Sequence, residues 1–281
     1  MGNLYALIGH PVGHSLSPEM HNEAFRSLGL PHHYESFDVA PVDLQEAIAG
    51  IKALGIAGFN ITVPHKVEVM PYLDEMDEDA RRIGAVNTVI HQDGRLIGRN
   101  TDGQGFLEAL IDKAGEDLSE KRVLMIGAGG AARGVAVALD RHGVKQLDIA
   151  NRTSEKAHAL IAGSLQNEIA QVLALEEAVE NMGDYDILIN TTPVGMSPNT
   201  DDMPMPVDRI KPGAIMSDLI YNPLKTKWLE EGEKYGAVPM NGIGMFVNQG
   251  ALAFEWWTGQ SPDRERMRQT VLESLKGREH E

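Results

Sequence analysis

The chain has 281 residues, of which 42% are hydrophobic and 23% charged, a composition typical of folded globular proteins and a length sufficient for two domains. Its 25 basic and 41 acidic side chains give a formal net charge of −16, which repels nucleic acid and anionic membrane surfaces, so neither is expected as a partner. The sequence contains no cysteine, which excludes disulfides, zinc–thiolate sites and thiol nucleophiles.

The N-terminal sequence lacks the features of a secretory signal. It has no basic region followed by a long apolar stretch. No later segment reaches the apolar length that is needed to span a bilayer. We therefore expect a cytoplasmic protein.

The first part of the sequence alternates between strand and helix patterns. The apolar run Leu4–Ile8 predicts a strand, and Ser17 followed by Pro18 predicts the start of a helix, with Ser17 as its N-cap. The same patterns predict strands over residues 34–39 and 58–63 and a helix over residues 44–54. Such alternation is typical of a mostly parallel sheet with helices on both faces.

A β-hairpin is predicted next. Val86–His91 and Arg95–Arg99 are strand-like, and they flank Asp93-Gly94, a pair that favours a tight turn. Thr101 or Asp102 then caps a helix whose apolar residues share one face. We place the end of the first domain at this point.

A second alternation of strands and helices begins at Arg122 and continues to about Val238, and Gly244–Leu275 carries only helical patterns. We therefore predict an α/β protein of two domains. An N-terminal α/β substrate domain with a mostly parallel sheet spans residues 1–102, and a Rossmann-type dinucleotide-binding domain spans residues 103–243. C-terminal helices over residues 244–281 return to pack on the substrate domain.

A glycine-rich motif opens the second alternation. The apolar strand Arg122–Ile126 leads directly into Gly127-Ala128-Gly129-Gly130-Ala131-Ala132. Read as G-x-G-x-x-A, the motif predicts a tight turn at Gly127, close approach of a pyrophosphate to the backbone at Gly129, and phosphate binding by the N–H groups that start the next helix. The alternative is a glycine-rich turn that serves packing alone.

The end of the next strand, Gln146–Ala150, indicates NADP rather than NAD. An NAD enzyme usually carries Asp or Glu there, which bonds the ribose 2′-hydroxyl. This sequence has Asn151-Arg152-Thr153 instead, so no carboxylate repels a 2′-phosphate, and Arg152 can bind that group. The alternative is a solvated turn in which Thr153 or Ser154 only caps the following helix.

Two later strands are expected to end at the same edge of the sheet. Tyr185–Asn190 runs into Thr191-Thr192, and Met216–Tyr221 is followed by Asn222-Pro223. Ligands of open α/β sheets bind beyond the carboxyl ends of the strands. Small and polar residues at these ends therefore suit the ribose and nicotinamide of the cofactor.

Four polar clusters lie in the first domain. Each has an ordinary structural explanation, because serine and aspartate cap helices, polar residues end strands, and most lysines are simply solvated. In chain order the clusters are Ser15-Leu16-Ser17-Pro18, Asn60-Ile61-Thr62-Val63-Pro64-His65-Lys66, Gly84-Ala85-Val86-Asn87-Thr88 and Gly98-Arg99-Asn100-Thr101-Asp102-Gly103.

Taken together, with this order and spacing and with the glycine motif following, the clusters closely resemble the shikimate dehydrogenase family. The similarity covers nearly the whole chain and includes Asn151-Arg152-Thr153, Gly242-Ile243-Gly244-Met245 and Gln249. The resemblance implies an NADP-dependent oxidoreductase that acts on a CH–OH group and reversibly reduces 3-dehydroshikimate to shikimate, in the chorismate pathway to aromatic amino acids. Its partners would be small molecules, and a homodimer would be usual.

The resemblance also implies roles for individual residues. Ser15 and Ser17 would bind the substrate carboxylate through their hydroxyls, which neutral donors can do despite the acidic chain. Asn60, Thr62, Asn87, Gln249 and Tyr221 would contact the ring hydroxyls, and Lys66 and Asp102 would lie at the reacting oxygen. The cofactor would be held by Gly127, Ala128, Gly129, Gly130, Ala131, Asn151, Arg152, Thr153, Thr192, Ile220, Gly242 and Met245, with Met245 near the nicotinamide.

The reaction itself explains why a lysine–aspartate pair is needed. When hydride is added to the ketone carbon, negative charge develops on oxygen and a proton must be supplied there. Lys66 is a suitable donor, because an ammonium group both stabilises that charge and releases a proton, and Asp102 would orient it. Lys66 as proton carrier with Asp102 as its partner is our hypothesis.

Three alternatives remain open from the sequence. A quinate/shikimate dehydrogenase shares the site but typically uses NAD, a folate-linked methylene dehydrogenase has a similar domain pair, and a non-catalytic NADP or metabolite sensor could use the same fold. The residues Asn151-Arg152-Thr153 argue against the first, and the polar clusters do not suit the second. The presence of both Lys66 and Asp102 argues against the third. Two positions depart from many relatives, His65 and Pro193, and neither belongs to the matched catalytic set.

Overall fold

The structure is a computed structural model that describes residues 2–278. The described residues up to Asp102, together with those from Val247 onward, form one compact unit, and Gly103–Phe246 forms another. We refer to them as the first unit and the second unit. None of the helices within residues 2–278 is both long enough and apolar enough to cross a lipid bilayer.

The strands of the described residues fall into two sheets, one in each unit. In chain order they are β1 (Leu4–Gly9), β2 (His33–Asp38), β3 (Gly58–Ile61), β4 (Glu75–Met76), β5 (Thr88–Gln92), β6 (Arg95–Arg99), β7 (Arg122–Ile126), β8 (Gln146–Ala150), β9 (Ala170–Leu173), β10 (Ile187–Asn190), β11 (Ile215–Asp218) and β12 (Val238–Met240). The α-helices are α1 (Ser17–Ser27), α2 (Leu44–Leu54), α3 (Glu78–Ile83), α4 (Asp102–Ala114), α5 (Gly130–His142), α6 (Ser154–Ser164), α7 (Leu175–Glu180), α8 (Lys227–Lys234), α9 (Ile243–Thr258) and α10 (Arg264–Arg278).

The sheet of the first unit has the strand order β2-β1-β3-β5-β6-β4. Strand β1 is parallel to β2 and β3, and β4 is parallel to β6, whereas β5 is antiparallel to β3 and β6. The prediction of a mostly parallel sheet is therefore confirmed. The predicted hairpin is β5–β6, and Asp93 (φ 51°) and Gly94 (φ 74°) adopt left-handed backbone conformations at its turn.

The core of the first unit has two layers because side chains alternate across β1. Ala6 and Ile8 point into an aliphatic cluster that includes residues of α2. On the other face, Tyr5 stacks on Phe25 of α1 and on Trp257 of α9, with ring centroids 5.3 and 4.9 Å apart. This aromatic layer fixes α1 and the C-terminal part of α9 against the sheet.

The sheet of the second unit is entirely parallel, with the order β12-β11-β10-β7-β8-β9. This is the strand order of a dinucleotide-binding domain, and it confirms the Rossmann-type prediction. Along β7, Val123 and Met125 enter one apolar cluster, whereas Leu124 and Ile126 enter the other. Both faces of the sheet are therefore buried, as in other parallel α/β sheets.

Some local features differ from the predictions. Ser17 is the first residue of α1, and Leu16 occupies the N-cap position without a side-chain cap bond, so the prediction of Ser17 as N-cap is wrong. The reason is that Ser17 is engaged elsewhere: its N–H donates to Ser15 Oγ (3.2 Å), and its hydroxyl accepts from the same atom (3.1 Å). Strand β9 was not predicted, since it lies at an edge of the sheet and has little apolar alternation.

Candidate active site

The glycine motif of the second unit forms a turn at the carboxyl end of β7. Gly127 has φ +114°, and an added Cβ would lie 2.3 Å from Thr191 Oγ1. The Gly127 N–H donates to the Ala150 carbonyl (2.9 Å), so this turn is tied to the end of β8. Both the backbone conformation and the lack of space require glycine at this position.

Gly129 differs, because no contact within residues 2–278 requires it to be glycine. Its backbone is extended, with φ −85° and ψ −171°, and apart from its chain neighbours no atom of the described residues lies within 4 Å of the position that a Cβ would occupy. It is the N-cap residue of α5, whose first turn presents backbone N–H groups. An open glycine at a helix N-terminus fits a phosphate group that approaches the backbone closely, as NADP requires.

The Asn151-Arg152-Thr153 segment follows β8 and leads into α6. Thr153 occupies the N-cap position of that helix, but its side chain makes no cap hydrogen bond. Asn151 Nδ2 donates to the Thr153 carbonyl (2.7 Å), which closes the turn. Arg152 is exposed. The segment is thus an exposed turn with Thr153 at the cap position, as the alternative explanation expects, but the Thr153 side chain does not cap the helix.

Buried polar groups join the ends of β10 and β11. Asp218 Oδ1 accepts from Asn190 Nδ2 (3.2 Å) and from the Ile220 N–H (3.0 Å), and its Oδ2 accepts from Thr226 Oγ1 (2.8 Å). Burial raises the pKa of this carboxyl to about 6, although these three bonds oppose the rise. Asn190 Oδ1 in turn accepts from the N–H and the hydroxyl of Thr192. The network therefore fixes the loops that carry Thr192 and Ile220.

The remaining predicted residues of the second unit lie near the last strand. Gly242 donates its N–H to the Ile220 carbonyl (2.9 Å), and an added Cβ would be 2.2 Å from a backbone oxygen, so glycine is needed for this close approach. Met245 is buried in the apolar cluster of the unit. Tyr221 stacks on Phe246, with ring centroids 4.4 Å apart.

In the first unit, Lys66 and Asp102 form a close ion pair. Lys66 Nζ lies 2.6 Å from Asp102 Oδ2, and the two side chains are 14% and 5% exposed. The backbone is held on both sides: the Val86 N–H donates to the Lys66 carbonyl (2.7 Å), and the Asp102 N–H donates to Asn100 Oδ1 (3.0 Å). A mostly buried ammonium is therefore presented in one orientation.

Asn87 lies beside this pair and is almost completely buried. Its Nδ2 is 2.9 Å from Asp102 Oδ1, 2.8 Å from Thr101 Oγ1 and 3.4 Å from Gln249 Oε1. Since the amide has only two hydrogens, the two shorter contacts take precedence. Thus the structure brings together four of the predicted residues, which are Lys66, Asn87, Asp102 and Gln249.

Asn60 is also present, but its amide is committed to the protein. Its Oδ1 accepts from the Tyr34 hydroxyl (2.8 Å), and its Nδ2 donates to the Asn87 carbonyl (3.1 Å) and to Thr88 Oγ1 (3.0 Å). No hydrogen of the amide is left for a ring hydroxyl, and only a second lone pair of Oδ1 can accept one. Thr62, by contrast, is partly exposed at the end of β3.

The sequence did not single out Tyr34, and it placed Thr88 and Thr101 in the polar clusters without a role at the site. All three are buried and bonded to predicted residues. No local pattern identifies them, because their partners are distant in sequence. His65 is buried as well, and its Nε2 donates to the Val39 carbonyl (2.7 Å), which anchors the turn that carries Lys66.

Comparison with known proteins gives consistent matches along the chain. Family models for the shikimate dehydrogenase substrate binding domain, shikimate/quinate 5-dehydrogenase and the shikimate 5′-dehydrogenase C-terminal domain match residues 7–89, 109–200 and 242–272. A shikimate dehydrogenase (NADP(+)) of Geobacillus sp. (strain WCH70) is 56% identical over 277 residues, which is 99% of this chain and 100% of that protein.

Solved structures give the same result. A crystal structure of a shikimate dehydrogenase in complex with NADP+ has a TM-score of 0.91 and 44% identity, covering 98% of this chain and 96% of that one. The shikimate 5-dehydrogenase of Thermus thermophilus, in complex with NADP(H) and shikimate, has a TM-score of 0.85 and 39% identity, covering 96% and 99% of the two chains.

Proposed function

The chain belongs to the shikimate dehydrogenase family, and from this we propose that Lys66 and Asp102 act at the reacting oxygen of its substrate. The activity is the reversible NADPH-dependent reduction of 3-dehydroshikimate to shikimate, within aromatic amino acid biosynthesis. The observation that supports the residue assignment is the 2.6 Å pair between Lys66 Nζ and Asp102 Oδ2 in a mostly buried site.

The second unit supplies the residues that would hold the cofactor. The open backbone at Gly129 and the N–H groups of the first turn of α5 suit the pyrophosphate, and the exposed Arg152 suits the 2′-phosphate. Thr192, Ile220, Gly242 and Met245 would complete the site towards the nicotinamide. When bound, NADPH supplies the hydride that reduces the ketone.

Lys66 would supply the proton. As the carbonyl carbon receives hydride, the π electrons of the C=O bond move to oxygen, and the Lys66 ammonium transfers one proton there, which gives the CH–OH group. The resulting amine is reprotonated from solvent, and the reverse reaction follows the same steps backwards. Asp102 is held by Asn87 (2.9 Å) and keeps the lysine nitrogen in place, so little reorganisation is needed when charge develops.

The hydroxyls of Ser15 and Ser17 would bind the substrate carboxylate, and Thr62, Asn87 and Gln249 the ring hydroxyls. Asn60 would contribute only as an acceptor, because both hydrogens of its amide are used within the protein. Tyr221 would also contact the ring hydroxyls. We further propose that the first unit is the substrate domain and that the protein is cytoplasmic and forms a homodimer.

The test is shikimate-dependent formation of NADPH by the unmodified protein and by Lys66→Ala. Loss of general acid–base catalysis in Lys66→Ala should lower turnover by roughly 10²- to 10⁴-fold. Lys52→Ala is the control, because Lys52 pairs with Asp74 at a similar distance (2.7 Å) in the same unit, although more exposed, and neither residue belongs to the proposed site. Near-normal turnover of Lys66→Ala would refute the assignment of Lys66 as the proton carrier.

The same assay separates this function from its alternatives. Shikimate and quinate are each measured with NADP and NAD. Faster turnover of quinate with NAD would identify a quinate enzyme, and tight NADP binding without any turnover would identify a sensor.

A further inference from the structure

A continuous series of hydrogen bonds runs through the first unit from the serine pair to Asp102. Its members are buried or half-buried, and they come from the start of α1 and the loop before it, from β2, β3 and β5 with the loop before β5, and from the start of α4. In order, they are Ser15, Ser17, Tyr34, Asn60, Thr88, Asn87 and Asp102. Two of them, Tyr34 and Thr88, have no role in the function proposed above.

The orientation of the Asn60 amide is fixed by its neighbours. Its Nδ2 faces the Asn87 carbonyl (3.1 Å), which can only accept, so the reversed amide would bring two oxygens together. Its Oδ1 therefore faces Tyr34 and accepts from the phenol hydroxyl (2.8 Å). This arrangement makes Tyr34 the donor to Asn60.

The later steps of the series have the same direction. Asn60 Nδ2 donates to Thr88 Oγ1 (3.0 Å), and the Thr88 hydroxyl donates to Asn87 Oδ1 (3.1 Å). Asn87 Nδ2 then donates to Asp102 Oδ1 (2.9 Å). Each donor therefore points towards the Asp102 carboxylate, and hydrogen bonds aligned in this way strengthen one another.

Tyr34 connects this part of the series to the serines. Complete burial raises the pKa of its phenol well above the ordinary value, and a hydrogen bond with Ser17 opposes that rise. Because the single hydrogen of the phenol is used for Asn60, the phenol oxygen can only accept from Ser17, so Ser17 is the donor. The ring itself is held by His21, with centroids 4.5 Å apart and planes inclined by 15°.

We propose that Tyr34 and Thr88 are positioning residues for shikimate: their hydroxyls hold the side-chain amides of Asn60 and Asn87 in the orientations that receive the substrate. This inference rests on the proposed function of that site. The phenol donates its one hydrogen to Asn60 and accepts from Ser17. When the Ser17 hydrogen turns to the substrate carboxylate, the bond from Tyr34 to Asn60 therefore remains. A phenyl ring fills the same space but offers Ser17 and Asn60 no partner.

The decisive comparison is Tyr34→Phe with Tyr5→Phe. Tyr5 is another buried tyrosine of the same aromatic layer, and its hydroxyl contacts the Trp257 carbonyl (3.5 Å) and the Asn3 side chain, neither of which belongs to the series. Both variants lose one hydroxyl, so both should show a small decrease in Tm. Only Tyr34→Phe should raise the KM for shikimate, by about fivefold, which corresponds to one net hydrogen bond of about 1 kcal/mol. Its KM for NADP should stay within twofold of the unmodified value.

A KM for shikimate that is equal in the two variants would overturn the proposal, as would equal increases in the KM values for shikimate and NADP. If Tyr34→Phe does not fold, Thr88→Val and Thr88→Ser decide the question. Thr88→Ser keeps the hydroxyl and should retain the KM of the unmodified protein, whereas Thr88→Val should raise it. Identical KM values for that pair would also overturn the proposal.

The unmodified protein distinguishes this failure from failure of the proposed function. If it forms no NADPH from shikimate, the proposed function is wrong. If it is active and the paired variants behave alike, only the positioning role is wrong.

Discussion

The first unit should lose stability in mild acid because of one buried histidine. His21 is fully buried against Tyr34 and Phe254, and neither of its ring nitrogens has a hydrogen-bond partner among residues 2–278. Burial lowers the pKa of this imidazole from 6.5 to about 3. The unfolded chain therefore binds a proton at pH values where the folded chain does not.

The sign and size of the effect follow from this difference. The contribution of the neutral His21 ring to the free energy of unfolding is fully present above pH 6.5. This contribution is lost as the pH falls from 6.5 towards the folded-state pKa of about 3. Each pH unit in that window costs about 1.4 kcal/mol. Between pH 7 and pH 5, the free energy of unfolding should fall by about 2 kcal/mol from this residue alone.

The variant that tests this is His21→Phe. Phenylalanine keeps a ring between Tyr34 and Phe254 but has no group that titrates. The control is His14→Gln, since His14 is an exposed histidine of the same unit. Urea unfolding at pH 7 and pH 5, followed by tryptophan fluorescence in a Trp228→Phe background, reports on the first unit, where Trp256 and Trp257 lie.

His21→Phe should lose about 2 kcal/mol less than the unmodified protein between pH 7 and pH 5, and His14→Gln should behave like the unmodified protein. The burial argument fails if His21→Phe and the unmodified protein show the same change in free energy between the two pH values.

Two further predictions concern the second unit. Gly129→Ala should leave Tm unchanged but raise the KM for NADP at least about tenfold, because only an incoming phosphate needs that space. Gly127→Ala should instead lower Tm, because Gly127 has φ +114° and its Cβ position is blocked. A normal KM for NADP in Gly129→Ala would refute the pyrophosphate site. Asp218→Asn should be more stable than the unmodified protein at pH 8, by up to about 3 kcal/mol, and equal to it near pH 4. The reason is that a carboxyl whose pKa is raised from 3.8 to about 6 stabilises the fold below pH 3.8 and loses this contribution as the pH rises from 3.8 to about 6. Unfolding curves at both pH values check this. An Asn variant that is less stable than the unmodified protein at pH 8 would contradict it.

The second unit could be predicted in detail from the sequence because its signals are local. The strand before Gly127, the glycine motif and the helix after it are contiguous, and each follows from hydrophobic pattern or glycine chemistry. The bounds of β7 and β8 agree with the prediction, whereas β11 ends at Asp218, three residues early, because the side chain of that residue bonds the Ile220 N–H and turns the backbone.

The inner part of the candidate site could not be predicted, because its contacts are not local. Tyr34 and Asn60 lie 26 residues apart and meet only because β2 and β3 flank β1 in the sheet. Thr88 and Asn60 meet through the antiparallel pairing of β3 with β5. The sequence contains these residues, but no spacing rule specifies which strand lies next to which.

The segment Asn100-Thr101-Asp102-Gly103 shows why a motif alone does not identify the reactive residue. Asn100 holds the backbone of Asp102 and donates to the Ala85 carbonyl, and Thr101 is bonded to an amide side chain. Gly103 is needed for packing, since an added Cβ would lie 2.2 Å from a backbone oxygen of α5. Asp102 alone reaches a group that can exchange a proton with a substrate, the Lys66 ammonium. These four adjacent residues therefore serve different purposes. Substitution of Asn100, Thr101 or Gly103 should lower stability more than it lowers the rate of the chemical step.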